Sequence, residues 1–305
     1  MSFEAAVHRK AIEIGKLAVE MTTVAGSGHP STSLSMVEIL TVLYFGGVLR
    51  YDSQRPDDPE RDVFILSKGH AAPGLYAVLA EAGFFPTDQL TDLRKMGSPL
   101  EGHPNMCRLP GVEASTGSLG QGASMGIGHA LAARIDGRDS RVYVLVGDGE
   151  SEEGQVWEAA MFAGNSGLDN FTLIVDRNGY QQTDAVDNVQ PLDPLEDKFK
   201  AFGFETRSID GHSLEEVTEA LTGLTEIEPP TVKMSGNRLM FSTSIQRSRS
   251  GAGSTCPDIE TGTGGACTDG TALGGGTELV LASDIAVAAR TATFGLPEVK
   301  RGIIA

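Results

Sequence analysis

The sequence predicts an α/β fold, a doubly wound parallel sheet over residues 1–234, and three observations carry that prediction. RVYVLVGDG (141–149) and FTLIVDRNG (171–179) are apolar runs without polar alternation, as strands buried on both faces are. Segments of helical spacing separate the strand candidates, so strand and helix alternate along the chain. Both apolar runs also close in polar, glycine-bearing turns, and in open parallel sheets ligands gather beyond the carboxyl ends of the strands.

Taken in order, apolar positions at Ala5, Ile12, Leu17, Val19 and Val24 predict a long first helix, interrupted by GSGHPS at 26–31. SLSMVEILTVLYF (33–45) reads as a second helix with one buried side. DVFILS (62–67) is a short apolar strand leading into Lys68-Gly69-His70, and AAPGLYAVLAEAGFF returns to helix. QGASMGIGHALAARI (121–135) has small residues throughout, which suits a helix packed closely on a sheet. EGQVWEAAMFAGNSG follows the first apolar run as a helix. FETRSID is a further strand, SLEEVTEALTGLT (213–225) a helix, and PPTVKM (229–234) the start of one more strand. At 235–270 the periodicity weakens and Gly, Ser and Thr dominate. Compact domains rarely carry structureless loops this long, so the segment reads as a flexible linker, a fusion junction or a stretch that has lost its original reading.

The formal charge is −17, and residues 235–305 hold six acidic and six basic side chains, so the whole excess lies in residues 1–234. Such a surface repels polyanions, which argues against nucleic acid and anionic membranes as partners. It does not exclude a phosphorylated cofactor held by a metal ion and backbone N–H groups. Cys107, Cys256 and Cys267 form neither a CxxC pair nor a disulfide framework, and no stretch approaches the roughly 20 apolar residues of a membrane span. The expectation is a cytoplasmic protein.

The pair of strand ends, Gly147-Asp148-Gly149 and Asp176-Arg177-Asn178-Gly179, is the most specific chemical feature. A carboxylate on one end and an amide oxygen on the next supply part of the all-oxygen shell that a small divalent ion prefers. Gly149 lets the backbone approach a phosphate and offer its N–H. His29 in SGHPS, His70 in SKGHAAP and His103 in EGHPN each stand beside glycine at an element boundary. Each alone is open between a structural and a functional role, whereas together they point to one cleft. None has the ligand spacing of a zinc site, so proton transfer or phosphate donation suits them better. ASTGSLGQGASMG (114–126) is either a tight turn or a backbone platform for a flat ring, and it is not a dinucleotide fingerprint.

GDGESEEGQVWEAAMFAGNSGLDNFTLIVDRNGYQ (147–181) resembles the thiamine diphosphate signature of the transketolase family, as do SGHP (27–30), SKGHA (67–71), EGHP (101–104) and TGSLGQG (116–122). The likeness runs over about residues 5–234 and is greatest to the N-terminal subunit of split transketolases. It implies a doubly wound sheet of the thiamine-diphosphate-binding type. Carried over, it implies that Asp148, Asn178 and the carbonyl of Tyr180 hold Mg2+ and that Gly149 and His70 meet the diphosphate. It further implies that Leu119 presents its backbone to the aminopyrimidine, that His29 and His103 face thiazolium and sugar, and that Glu153 joins a carboxylate network at a dimer interface. The implied reaction moves a two-carbon ketol unit between sugar phosphates. The implied partner is a C-terminal subunit carrying the pyrimidine-binding domain, in a homo- or hetero-oligomer. The alternative is an inactive chimeric or truncated remnant. Two departures stand out. Ser31 replaces a usual glycine, at a cost of about 1 kcal/mol if that turn needs positive φ. After Met234 the family's Thr–Lys–Gly–Lys–Gly-like loop is replaced by SGNRLM.

ALGGGTELVLASDIAVAARTATFGLPEVKRGI (272–303) resembles a different family, the enoyl-CoA hydratases or crotonases. There Gly275 would correspond to an oxyanion-hole position and Glu278 and Glu298 to the catalytic pair. Only an incomplete crotonase-like fragment is present, over 271–305, without the upstream strand or the glycine-rich continuation. Residues from one end of a catalytic fold do not preorganise a site, so hydratase or isomerase activity is not expected.

Overall fold

The computed structural model describes residues 3–181, 184–223 and the strand segments 231–235, 238–244, 265–268, 271–273, 285–288 and 293–295. The chain divides into two compact units, Met1–Arg247 and Ser248–Ala305.

In the first unit helix α1 (Phe3–Ala25) buries Val7, Ala11, Ile14, Ala18 and Met21, one stripe at alternating four- and three-residue steps. Gly28, with φ +129°, redirects the chain where a Cβ would lie 2.7 Å from Thr22 Cγ2. The single helix expected at 33–45 is broken into α2 (Pro30–Leu34) and α3 (Val37–Phe45). Between them Ser35 Oγ lies within hydrogen-bond reach of the Thr32 carbonyl and of Asp176 Oδ2, its one proton shared between them, while Met36 is wholly buried against Gly74. Ser31 lies inside α2, and Arg94 is the non-glycine residue with positive φ among the described residues, so the feared strain at Ser31 does not arise.

Strands β1 (Val63–Leu66), β2 (Val142–Gly147) and β3 (Phe171–Arg177) pair in parallel, with Gly147 level with Asp176. Alternate strand residues go to opposite cores. Phe64, Leu66, Tyr143, Leu145 and Ile174 join the core of α1, α3 and α4 (Ala72–Glu81). Val63, Ile65, Val142, Val144, Val146, Leu173 and Val175 join the core of α5 (Gln121–Ile135) and α6 (Gly154–Ser166). This two-sided burial explains the unbroken apolar runs, each fully buried Val or Leu contributing about 1.5–3 kcal/mol. The small residues of α5 have their expected use: a Cβ on Gly126 would fall 2.2 Å from Val144 Cγ2.

Beyond α7 (Val186–Val189) and α8 (Leu195–Ala201), strand β4 (Phe204–Asp210) and helix α9 (Leu214–Thr222) complete the winding. Strand β5 (Thr231–Ser235) runs parallel to β3 and β4. Strand β6 (Arg238–Ser244) is antiparallel to β4, and the sheet order is β1-β2-β3-β5-β4-β6. The strand β6 falls in the segment read as irregular. The dipeptide Gly236-Asn237 between β5 and β6 is a hairpin signal in the sequence that weak periodicity concealed. In the second unit β7 (Gly265–Thr268) pairs in parallel with β9 (Ile285–Ala288), and β8 (Thr271–Leu273) with β10 (Thr293–Gly295). Gly275, Glu278 and Glu298 lie outside the described residues. Among those described, no helix is long and apolar enough to cross a membrane.

Candidate active site

The carboxyl ends of β1, β2 and β3 lead into His70, Asp148-Gly149 and Asn178-Tyr180, among the residues singled out in the sequence. Because Gly147 and Asp176 are direct neighbours, the turns that follow them lie side by side. Asp148 is buried; its Oδ1 accepts from Gly149 N–H at 2.9 Å and its Oδ2 from Gly179 N–H at 2.7 Å. Burial pushes this carboxyl up to about 6, against the pull of those two N–H groups. Asn178 Oδ1 accepts from Tyr180 N–H at 2.9 Å in a local turn, and the Tyr180 ring is exposed. Gly179 at φ +79° makes this turn possible, closed by Val186 N–H on the Gly179 carbonyl. Gly149 faces Gln181, whose Cβ would lie 2.8 Å from any Cβ added there.

The three histidines come together. The rings of His29, the residue that starts α2, and His70, just beyond β1, meet edge to face with centroids 5.4 Å apart. His103 packs on Gly117, where a Cβ would fall 2.9 Å from its Cδ2, and Tyr76 Oη holds its loop, its one proton shared between the Glu101 and His103 carbonyls, each 3.0 Å away. Burial takes His70 down to about 4, with the charge of Lys68 and the neighbouring His29 and His103 adding to it. His103 is lowered too, by burial and then by Arg94 and His29. His70 is therefore neutral near pH 7, able to donate one N–H and accept one bond. Leu119 is half-buried in the turn before α5, and Glu153 is exposed at the start of α6, its Cβ 3.0 Å from where a Gly120 Cβ would stand. Histidine cleft, glycine platform and polar strand ends thus share one end of the sheet.

Three groups at this end were given no role by the sequence. Lys68 and Asp176 form a buried ion pair, 1 % and 2 % exposed, at 2.5 Å. The same ammonium donates to Thr32 Oγ1 at 3.0 Å, tying β1 and β3 to the helix that follows His29. Arg94, at φ 58°, reaches Ser27 Oγ at 2.7 Å and stands over Gly102. Glu150 is buried and accepts from Ser67 Oγ, Gly120 N–H and Gly147 N–H. Their partners are up to 141 residues away in sequence, so no local spacing marks them; the polar residues Lys68 and Asp176 at the ends of apolar strands were the available signal.

The donor set can be tested against a divalent ion. Asp148 and Asn178 stand at adjacent strand ends, and each of their accepting oxygens takes one N–H and keeps a further lone pair. That set fits a hard cation whose shell is completed by carbonyl and phosphate oxygens. Among the described residues no group of three or more His, Cys, Asp or Glu side chains is placed to hold a metal on its own.

Residues 7–236 match the family described as transketolase, thiamine diphosphate binding domain. Residues 266–305 match the enoyl-CoA hydratase/isomerase family. The chain is 46 % identical over 208 residues to the 6-deoxy-6-sulfo-D-fructose transketolase subunit SqwG of Clostridium sp. (strain MSTE9), covering 68 % of this chain and 75 % of that one. It is also 46 % identical over 203 residues to transketolase of Homo sapiens, covering 66 % of this chain but only 32 % of that protein. The crystal structure of transketolase from Campylobacter jejuni superposes with a TM-score of 0.69 at 34 % identity, over 72 % of this chain and 36 % of that one. This chain therefore spans about a third of the length of the single-chain relatives.

Proposed function

The chain belongs to the transketolase thiamine diphosphate-binding domain family, and from that premise we propose that it is the cofactor-binding subunit of a two-chain, magnesium-dependent transketolase. The observation that carries the reading is the placement of Asp148 and Asn178 on adjacent strand ends, with the Gly149 N–H and the His70 loop beside them. A relative whose length is largely covered by this chain is itself a subunit, which supports a separate partner carrying the pyrimidine-binding domain.

In this reading Asp148, Asn178 and the Tyr180 carbonyl hold magnesium, while His70 and the Gly149 N–H, turned from Asp148 Oδ1 once the metal takes that oxygen, receive the diphosphate. Thiamine diphosphate, when bound, supplies the carbon nucleophile and the electron sink for moving a two-carbon ketol unit from a ketose phosphate to an aldose phosphate. The protein's own share is positioning and proton handling. Leu119 offers its backbone to the aminopyrimidine, and Glu153, exposed beside it, faces a partner chain. His29 and His103 donate hydrogen bonds to the sugar oxygen as it gains negative charge. Neutral His70 is already in the donor–acceptor form needed to pass a proton rather than to neutralise charge. No function is assigned to the hydratase-like tail. The cysteine pattern is consistent with action in the cytoplasm.

Titration calorimetry of the full chain with thiamine diphosphate, with and without Mg2+ and a C-terminal subunit, tests this. Magnesium-dependent binding is expected, lost in Asp148→Ala, with ketol transfer between sugar phosphates appearing only when both subunits are mixed. Absence of binding with the partner present removes the enzyme reading and leaves the inactive remnant.

A further inference from the structure

Three loops line the candidate site, and one buried side chain touches the root of each. Glu150 follows the Asp148-Gly149 turn and is 3 % exposed, yet it has no place in the chemistry above. Its Oε1 accepts from Ser67 Oγ and from Gly120 N–H at 2.9 Å, and its Oε2 accepts from Gly147 N–H at 3.1 Å. Ser67 in turn accepts from Gly122 N–H at 3.1 Å, so the first turn of α5 hangs on the same network. Ser67 directly follows β1, three residues before His70, Gly120 directly follows Leu119, and Gly147 directly precedes Asp148. One carboxylate therefore joins the roots of the histidine loop, the ring-facing platform and the metal turn.

The geometry is specific to an anion at this position. Gly120 is held at φ +86°, leaving its N–H aimed away from the helix that it precedes, and a Cβ on Gly122 would fall 2.4 Å from Ser67 Oγ. The loop thus sits flush on Ser67 with its N–H groups turned into the protein, where each needs an acceptor. Only a group with two free oxygens and no donor meets all three donors at once. An amide would offer one oxygen and set its NH2 against an N–H.

We propose that Glu150 is a positioning residue that fixes the distance between the metal turn and the ring-facing platform, so that the two ends of the cofactor are recognised together. This rests on the cofactor reading of the site. Its physical content is that the platform at 117–122 is anchored through Glu150, whereas the turn at 147–149 has further anchors: Asp148 N–H on the Asp176 carbonyl, Ser151 Oγ on the Gly147 carbonyl and Gly179 N–H on Asp148. Loss of the carboxylate should loosen the platform first.

The test uses the full chain and Glu150→Gln. Without ligand, amide hydrogen exchange over 117–122 is expected to speed up by about tenfold, the difference between a charged and a neutral acceptor, while β1–β3 keep their protection. With Mg2+ present, affinity for thiamine diphosphate is expected to fall about tenfold and affinity for inorganic diphosphate to stay within about twofold. Unchanged exchange over 117–122 overturns the proposal, and so does exchange that rises equally across the domain or an equal loss of both affinities. If Glu150→Gln does not fold, Glu150→Asp keeps the charge but draws it back from its donors by one methylene, and it is read by the same exchange measurement. A wild type that binds neither diphosphate nor thiamine diphosphate even with the C-terminal subunit present disproves the cofactor reading, while the exchange data still decide whether Glu150 anchors the platform.

Discussion

Replacing Lys68 by methionine is the sharpest test of how the sheet end is held. The lysine ammonium lies 2.5 Å from Asp176 Oδ2, and both side chains are almost wholly buried. Removing one member of such a pair leaves the other charge uncompensated, a loss of about 3–5 kcal/mol. In a domain of this size each kcal/mol moves the melting midpoint by about 2–4 °C, so Lys68→Met should melt about 6–20 °C lower. The double variant Lys68→Met/Asp176→Leu removes both charges and should recover to within about 2 kcal/mol of wild type. Urea unfolding of the full chain, followed by circular dichroism across the double-mutant cycle, measures the coupling. A single-variant loss below about 1 kcal/mol, or a double variant as unstable as the two singles summed, refutes the account.

Further consequences follow from neighbouring groups. His70 has a folded pKa near 4 against an ordinary value of 6.5, so between these values the unfolded chain binds more protons and the contribution of His70 to stability falls as pH drops. Allowing for the ring's partial exposure this amounts to about 1–2 kcal/mol. Asp148 and Glu113, raised to about 6 and about 7, have the opposite sign, so the measurement is the difference in stability between wild type and His70→Asn; a difference that does not grow from pH 4 to 6.5 counts against the assignment. Gly164 packs on α8's end, where a Cβ would fall 1.9 Å from the Phe202 carbonyl oxygen; Gly164→Ala should cost about 1–3 kcal/mol in urea unfolding despite alanine's better helix propensity.

How far the sequence is legible depends on the range of the interaction. Strands β2 and β3 are legible because both their faces are buried, which leaves an apolar run that needs no partner to be recognised. The turns at Asp148 and Asn178 are legible because they sit at the ends of those runs, and the histidine loops because glycine flanks each one. The break between α2 and α3 is not, since it is caused by Ser35 reaching Asp176, 141 residues away. Glu150 is hidden for the same reason: two of its three donors come from 83 and 30 residues away, and an acidic residue in a turn ordinarily faces water. The chemistry is therefore readable where it meets solvent, and the supports beneath it are readable only in three dimensions.

Those supports also bear on the proposed metal. Asp148, Glu150 and Asp176 are three buried acidic side chains at one sheet end, and the buried cation nearest them, Lys68, is already engaged by Asp176. A diphosphate arriving alone would meet Asp148 with only N–H dipoles in opposition. One unit-charge pair 4 Å apart is worth about 4 kcal/mol at an effective dielectric constant of 20, or about three orders of magnitude in affinity. A divalent ion between Asp148 and the diphosphate turns that repulsion into two attractions. Diphosphate binding should accordingly disappear in chelator rather than weaken. Affinity that persists within about tenfold of the magnesium value in calorimetry would mean that the positive charge is supplied elsewhere, and that Asp148 and Asn178 do not form the metal site.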